Sequence, residues 1–363
     1  MQRNSIYTWD GLGRGLLRSV PALLCGAVGG AIFLWLRMPL AWMLGSMFVV
    51  GAYALLARSH WPKPKVDLRL RALMIVVLGV MLGSAFTPDM LNRWSEWLGL
   101  MALMLAYVPL ATACCYWIFR KLGNFDPATA YFAATPGGLQ EMTMVGESMG
   151  GNPSQIILSH TVRVFMVVMT IPFYFRLIEG MDVPPMPPGG SFRSMAPEDA
   201  ALLAASGLIG WILARRLRMP AAQLVGPMLC SAILHLTGLS TAKPPTEAVA
   251  VAQVVVGASL GCRFAGIPLR TLANVARLAA GSTVIMLGLT LALVFLFAAP
   301  LGLSRESLTL VLAPGGLAEM SLVALALHVE VALVSSMHVF RIVVVVILAP
   351  FFFRLLKLRS APE

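Results

Sequence analysis

The chain has 363 residues, of which 58% are hydrophobic and 12% charged, and a mean hydropathy of +0.82. That much apolar surface cannot be hidden inside one water-soluble globule, which excludes a soluble enzyme or binding module and leaves an integral membrane protein built of helices. The net charge of +11 does not point to nucleic acid, because Lys and Arg sit in short clusters between apolar runs, as topology signals do.

Taken in chain order, "MQRNSIYTWDGLGRGLLRSVPALL" reads as a short arm leading into the first span and not as a removed signal peptide. Apolar runs long enough to cross a bilayer are expected near 16–36, 39–57, 68–88, 96–119 and 154–177, then near 198–217, 219–239, 246–262, 273–300 and 330–353. Arg37-Met38-Pro39 and Arg218-Met219-Pro220 mark tight turns between adjacent spans. The spacings Gly79-x-x-x-Gly83 and Gly257-x-x-x-Gly261 allow helices to pack closely, within the chain or at a homodimer interface.

Between the last two spans of each half lies an interrupted segment, 126–149 and 304–328, cut by "ATPGGLQEM" and "LAPGGLAEM". Both begin with helix-start chemistry: Asp126 before Pro127, and Ser304 with Glu306 in the first turn. Arms of about 10 to 12 residues would span half a bilayer, as one broken crossing helix or as a re-entrant hairpin. The basic clusters, Arg3/Arg14/Arg18, Arg58/Lys63/Lys65/Arg69/Arg71 and Arg120/Lys121, then Arg215/Arg216/Arg218, Arg263/Arg270/Arg277 and Arg354/Lys357/Arg359, fall on one side only if these segments do not cross. Five crossings per half would invert the second half and leave both termini cytoplasmic.

The chain is internally duplicated. An offset of 178 lays Thr135–Arg176 on Ala313–Arg354 without a gap, with 15 of 42 positions identical, and an offset of 181 matches Gly26, Gly29 and Gly45 with Gly207, Gly210 and Gly226. The expected organisation is a membrane repeat over 1–178, a Pro- and Gly-rich linker over 179–197 and a second repeat over 198–363. Inverted repeats with discontinuous helices are an architecture of secondary transporters.

At each break, Pro136 and Pro314 end the first arm, while Gly137, Gly138, Gly315 and Gly316 give the backbone access to φ > 0 and close approach to a ligand. The second arm then starts with free N–H groups. Glu141 and Glu319, three residues past the second glycine, either line a substrate or ion site or cap those groups. His160 and Arg163 share a helical face, as do His338 and Arg341; an Arg pairing with the glutamate of its half is one expectation, and a proton-sensitive His beside that pair is another. Asn152, Gln155, Gln223 and Gln253 are polar but have no counterpart across the repeats. The five cysteines have no CxxC spacing, and the five histidines show no HExxH or comparable metal pattern, so no cofactor or metal and no enzymatic role is expected.

The doubled Pro-Gly-Gly-Leu-x-Glu-Met, each followed by His-x-x-Arg in an apolar span, resembles the AbrB family of bacterial integral membrane proteins, over essentially the whole chain. The resemblance implies a duplicated, multi-pass inner-membrane protein with a transporter role and a link to regulation of gene expression. It supplies no substrate. The family also carries an ammonia monooxygenase label, which would need a metal-ligand cluster missing from this sequence. The expected partners are the bilayer and a small solute or ion, with a membrane sensor acting through a partner as the alternative role.

Overall fold

The computed structural model describes residues 9–57, 62–88, 90, 94–181, 184 and 190–356. Arg3, Arg58, Lys357 and Arg359, and linker residues 182–183 and 185–189, lie outside the described residues. Among the described residues there are fourteen α-helices. They are α1 (Trp9–Trp35), α2 (Ala41–Leu56), α3 (Leu68–Gly83), α4 (Trp94–Lys121), α5 (Pro127–Ala134), α6 (Leu139–Ser148), α7 (Pro153–Leu177), α8 (Pro197–Arg216), α9 (Ala222–Leu236), α10 (Thr246–Gly261), α11 (Leu269–Phe297), α12 (Arg305–Leu312), α13 (Leu317–Ala326) and α14 (Val331–Leu355).

Seven helical segments, α10 being counted with the 3-10 turn that continues it to Phe264, are long and apolar enough to cross a membrane, which makes the chain a polytopic all-α membrane protein. The expected spans at α2, α3 and α9 are shorter, 16, 16 and 15 residues. At 1.5 Å per residue they rise about 24 Å, less than a full hydrocarbon core. The two interrupted segments are helical on either side of each Pro-Gly-Gly, with a first arm of 8 residues, shorter than the expected 10 to 12, and a second arm of 10 in both copies. Their starts are capped as expected: Asp126 accepts from the Thr129 N–H at 2.9 Å and Ser304 from the Ser307 N–H at 3.1 Å.

The helices divide between two compact units, Met1–Ser84 with Pro172–Ile267 and Ala85–Ile171 with Pro268–Glu363. Each unit therefore draws on both halves of the duplicated sequence. The first contains α1, α2, α3, α8, α9 and α10. Its helices touch backbone to backbone at glycines: a side chain at Gly45 would strike the Gly29 carbonyl, and one at Gly226 the Gly210 carbonyl. These contacts repeat at the offset of 181. Gly79 and Gly83 seat α3 on α9, and Gly257 and Gly261 seat α10 on α2, so both Gly-x-x-x-Gly pairs are used inside the unit. The Arg-Met-Pro turns recur in detail, with left-handed backbone at Arg37 and Leu40 and again at Arg218 and Ala221.

The second unit contains α4, α5, α6, α11, α12, α13, α14 and α7 as far as Ile171. It holds both interrupted segments, and contacts along α7 and α14 set their shape. In the first, the Asn152 N–H beyond the end of α6 donates to Thr129 Oγ1 near the start of α5 at 2.7 Å, and Gly146 of α6 lies against Phe132 of α5. The arms fold back as a hairpin. In the second, Ser335 of α14 meets Ser321 of α13 at 2.8 Å, His338 meets Leu310 of α12 at 2.9 Å, and Arg341 reaches the tip. Both arms leave the tip on the same side, which again makes a hairpin.

Candidate functional site

Beyond Arg341, Val345 lies against Gly137 at the tip of the first hairpin; farther on, the Ala349 carbonyl accepts from Tyr131 Oη at 3.1 Å, and Phe353 packs on Tyr131 and Phe132 of α5. The order along α14 is thus second hairpin, second tip, first tip, first hairpin. The two hairpins approach the middle of α14 from opposite ends. Residues 338, 341, 345 and 349 are three or four apart and share one helical face, so a single stripe of α14 reads both tips.

The repeated spelling of the two breaks has a steric explanation that does not involve φ > 0. Gly138 and Gly316 have φ of −64° and −78°, and neither Gly137 nor Gly315 is among the left-handed glycines. The expectation of positive φ is corrected: what these glycines supply is room. A side chain at Gly137 would strike Met142 and Val345, and one at Gly315 would strike Met320. At Gly138 and Gly316 it would strike the carboxylates of Glu141 and Glu319. The glutamates therefore fold back over the start of their own helix, where the dipole is positive. Gly138 and Gly316 supply no side-chain cap, and the first backbone bonds of the second arms come only at the Met142 and Met320 N–H groups. Glu141 is half-buried and Glu319 is buried.

The arginines serve the other side of each break. Arg163 donates to the Thr135 carbonyl from both terminal nitrogens at 3.3 Å and from Nη2 to His160 Nδ1 at 2.7 Å. Arg341 donates to the carbonyls of Ala313 at 2.6 Å and Gly315 at 2.8 Å, and to His338 Nδ1 at 2.9 Å. The Thr135 and Ala313 carbonyls stand at the ends of the first arms, where the helix leaves acceptors over and its dipole is negative, and the Gly315 carbonyl lies in the break itself. The expected pairing of Arg163 with Glu141 and of Arg341 with Glu319 is absent among the described residues. The physical reason is that each charge already answers the helix end nearest to it.

The histidines complete the same network. His160 Nε2 donates to the Phe132 carbonyl and His338 Nε2 to the Leu310 carbonyl, both at 2.9 Å. Because Nδ1 accepts from a guanidinium, only the neutral tautomer with hydrogen on Nε2 serves both partners. A proton on Nδ1 would face an N–H donor. This geometry makes both rings parts of the cap on α5 and α12, and weighs against their use as proton carriers.

Three further groups were not singled out by spacing. Tyr107 of α4 is fully buried, with its hydroxyl accepting from Thr290 Oγ1 of α11 at 3.3 Å. Thr135 and Tyr131 line a cavity of about 520 Å³ together with Val345, Ala349 and Pro109. A tyrosine in the middle of the α4 span was the available signal for the first, since polar groups in spans tend to have partners. Of the polar residues without counterparts, Asn152 caps α7 by accepting from the Gln155 N–H at 3.2 Å, and Gln253 is fully buried in the first unit with both amide atoms unpartnered.

A family model described as "Transition state regulatory protein AbrB" matches residues 42–357. The chain is 29% identical to "Uncharacterized protein YhjN" of Bacillus subtilis strain 168, over 94% of both chains. It is 23% identical to "Putative regulator AbrB" of Escherichia coli strain K12, over 88% of this chain and 90% of that one. No solved structure matches the chain.

Proposed function

The chain belongs to the AbrB family, and we propose that within it the protein is a secondary transporter of a small solute, ion- or proton-coupled, whose binding site is formed by the two hairpin tips. The observation that supports this most is the meeting of the tips at mid-α14, each offering a helix start without a side-chain cap beside a carboxylate. Discontinuous helices that bring their ends together at the middle of a bundle bind substrates and coupling ions in carriers. The opposed approach of the hairpins is what two halves of opposite orientation would produce. With both histidines held neutral by their partners, Glu141 and Glu319 are the groups assigned to an ion or proton.

The proposal places the protein in the bacterial inner membrane with cytoplasmic termini, as a carrier and not an enzyme. Its test is solute flux into proteoliposomes across a panel of small carboxylates, amines and metal ions, with and without an imposed ion gradient. Glu141→Gln and Glu319→Gln proteins that fold normally should lose flux; unchanged flux in both would refute the site. The alternative, a membrane sensor affecting gene expression, draws on the name of the Escherichia coli relative. It would be favoured by a protein that binds a ligand, moves none, and recruits a partner on binding.

A further inference from the structure

Arg163 and Arg341 are each only 3% exposed, and in both the Nε–H finds no hydrogen-bond partner. The same atom is left over in both copies of the repeat. Arg163 Nη1 lies 4.0 Å from Met286 Sδ, one turn along α11 from Thr290 and its bond to Tyr107, and Arg341 stands one turn before Val345, which touches Gly137 beside the Arg163-bound Thr135. Two like charges buried close together repel strongly where the dielectric is low. Glu141 and Glu319 do not pair with them, since each carboxylate lies over its own Gly138 or Gly316. Among the described residues neither guanidinium bonds an acidic side chain, which leaves two cationic donors and a tyrosine hydroxyl, the chemistry of an oxyanion site.

The cavity adds the rest of a ligand. Its volume of about 520 Å³ lies in the range of small-molecule sites, and its walls from α4, α5 and α14 are almost wholly apolar. It abuts the arginine-held tip at two places: Thr135 lines it while giving its carbonyl to Arg163, and Val345 lines it while touching Gly137.

We propose that the solute is an organic anion, a carboxylate with an apolar body. Arg163, Arg341 and Tyr107 take the carboxylate, and the cavity takes the body. This assignment rests on the transport reading of the same site and narrows it to one substrate class.

The test is thermal unfolding of the full chain in lipid nanodiscs with benzoate, benzamide, benzylammonium, acetate and inorganic phosphate. Benzoate should raise the unfolding temperature most and acetate weakly. The neutral amide and the amine should have no effect. Tyr107→Phe keeps the ring and removes one donor, and should weaken benzoate by about tenfold. Ala113→Trp fills the cavity from an exposed wall position and should weaken benzoate while sparing acetate. Equal stabilisation by the amide or the amine, stabilisation by phosphate alone, no stabilisation by any probe, or unchanged benzoate binding in Tyr107→Phe would overturn the assignment. Flux of a cation that depends on Glu141 and Glu319 would then leave the transport reading standing without the anion.

Discussion

The carboxylate of Glu319 occupies the space that a side chain on Gly316 would need, and Glu141 stands to Gly138 in the same way. The second glycine and the glutamate of Pro-Gly-Gly-Leu-x-Glu are therefore one steric unit. Gly316→Ala is expected to lower stability by about 1–3 kcal/mol through overpacking. Combined with Glu319→Ala the cost should be well below the sum of the two single changes, because the colliding group is gone. A double-mutant cycle read by thermal unfolding checks this, and additive costs would count against the contact.

The two arginines are not equivalent. Arg341 makes bonds of 2.6 and 2.8 Å to two carbonyls, whereas Arg163 reaches one carbonyl at 3.3 Å. Replacing either by leucine would leave buried carbonyls unpaired, at about 1–3 kcal/mol for each. Arg341→Leu is expected to cost more than Arg163→Leu, with equilibrium unfolding in mixed micelles as the measurement. The reverse order would contradict the assignment of caps.

The bonds at Nδ1 and Nε2 fix one tautomer for both histidines. A solid-state ¹⁵N spectrum of histidine-labelled protein in bilayers at neutral pH is expected to show His160 and His338 with hydrogen on Nε2 only. Imidazolium signals from these two residues would restore them as proton carriers.

Glycines in the first unit and in α11 should respond oppositely to alanine. At Gly45 a methyl group would meet the Gly29 carbonyl, and α1 would have to move away from α2. Around Gly281 and Gly288 in α11 nothing lies within 4 Å. Gly45→Ala is expected to destabilise by several kcal/mol at the order-of-magnitude level, and Gly281→Ala to be neutral or stabilising by up to about 1 kcal/mol through helix propensity.

Much of the helical layout could be read from local signals. Hydropathy located the long spans, and Asp126-Pro127 and Ser304 marked the starts of the interrupted segments, because capping and apolar length are properties of neighbouring residues. The repeat offset matched Gly29 and Gly45 with Gly210 and Gly226, but that Gly29 meets Gly45, and Gly210 meets Gly226, is visible only in the packing. What spacing could not supply was the identity of the group opposite a side chain. His160 and Arg163 share a face, but that face meets carbonyls of α5 and not Glu141, since the partner is chosen by tertiary packing and by helix polarity. The grouping of α3 with α9 and α10 with α2, across the two halves, was hidden for the same reason. So was Tyr107, whose hydroxyl finds its partner, Thr290, on α11.

On the transport reading, the hairpin tips line a site reached by solute and are more than caps holding the fold. Gln140 and Ala318, each at the second position of its arm, sit where such a site would open. Single cysteines there, in a background freed of the five native cysteines, can be treated with a charged, membrane-impermeant thiol reagent in sealed proteoliposomes and again after unfolding. The expected result is labelling of the folded protein at both positions, slowed by bound benzoate. If both cysteines stay unlabelled until the protein is unfolded, the tips are closed structural caps and the transport site is not there.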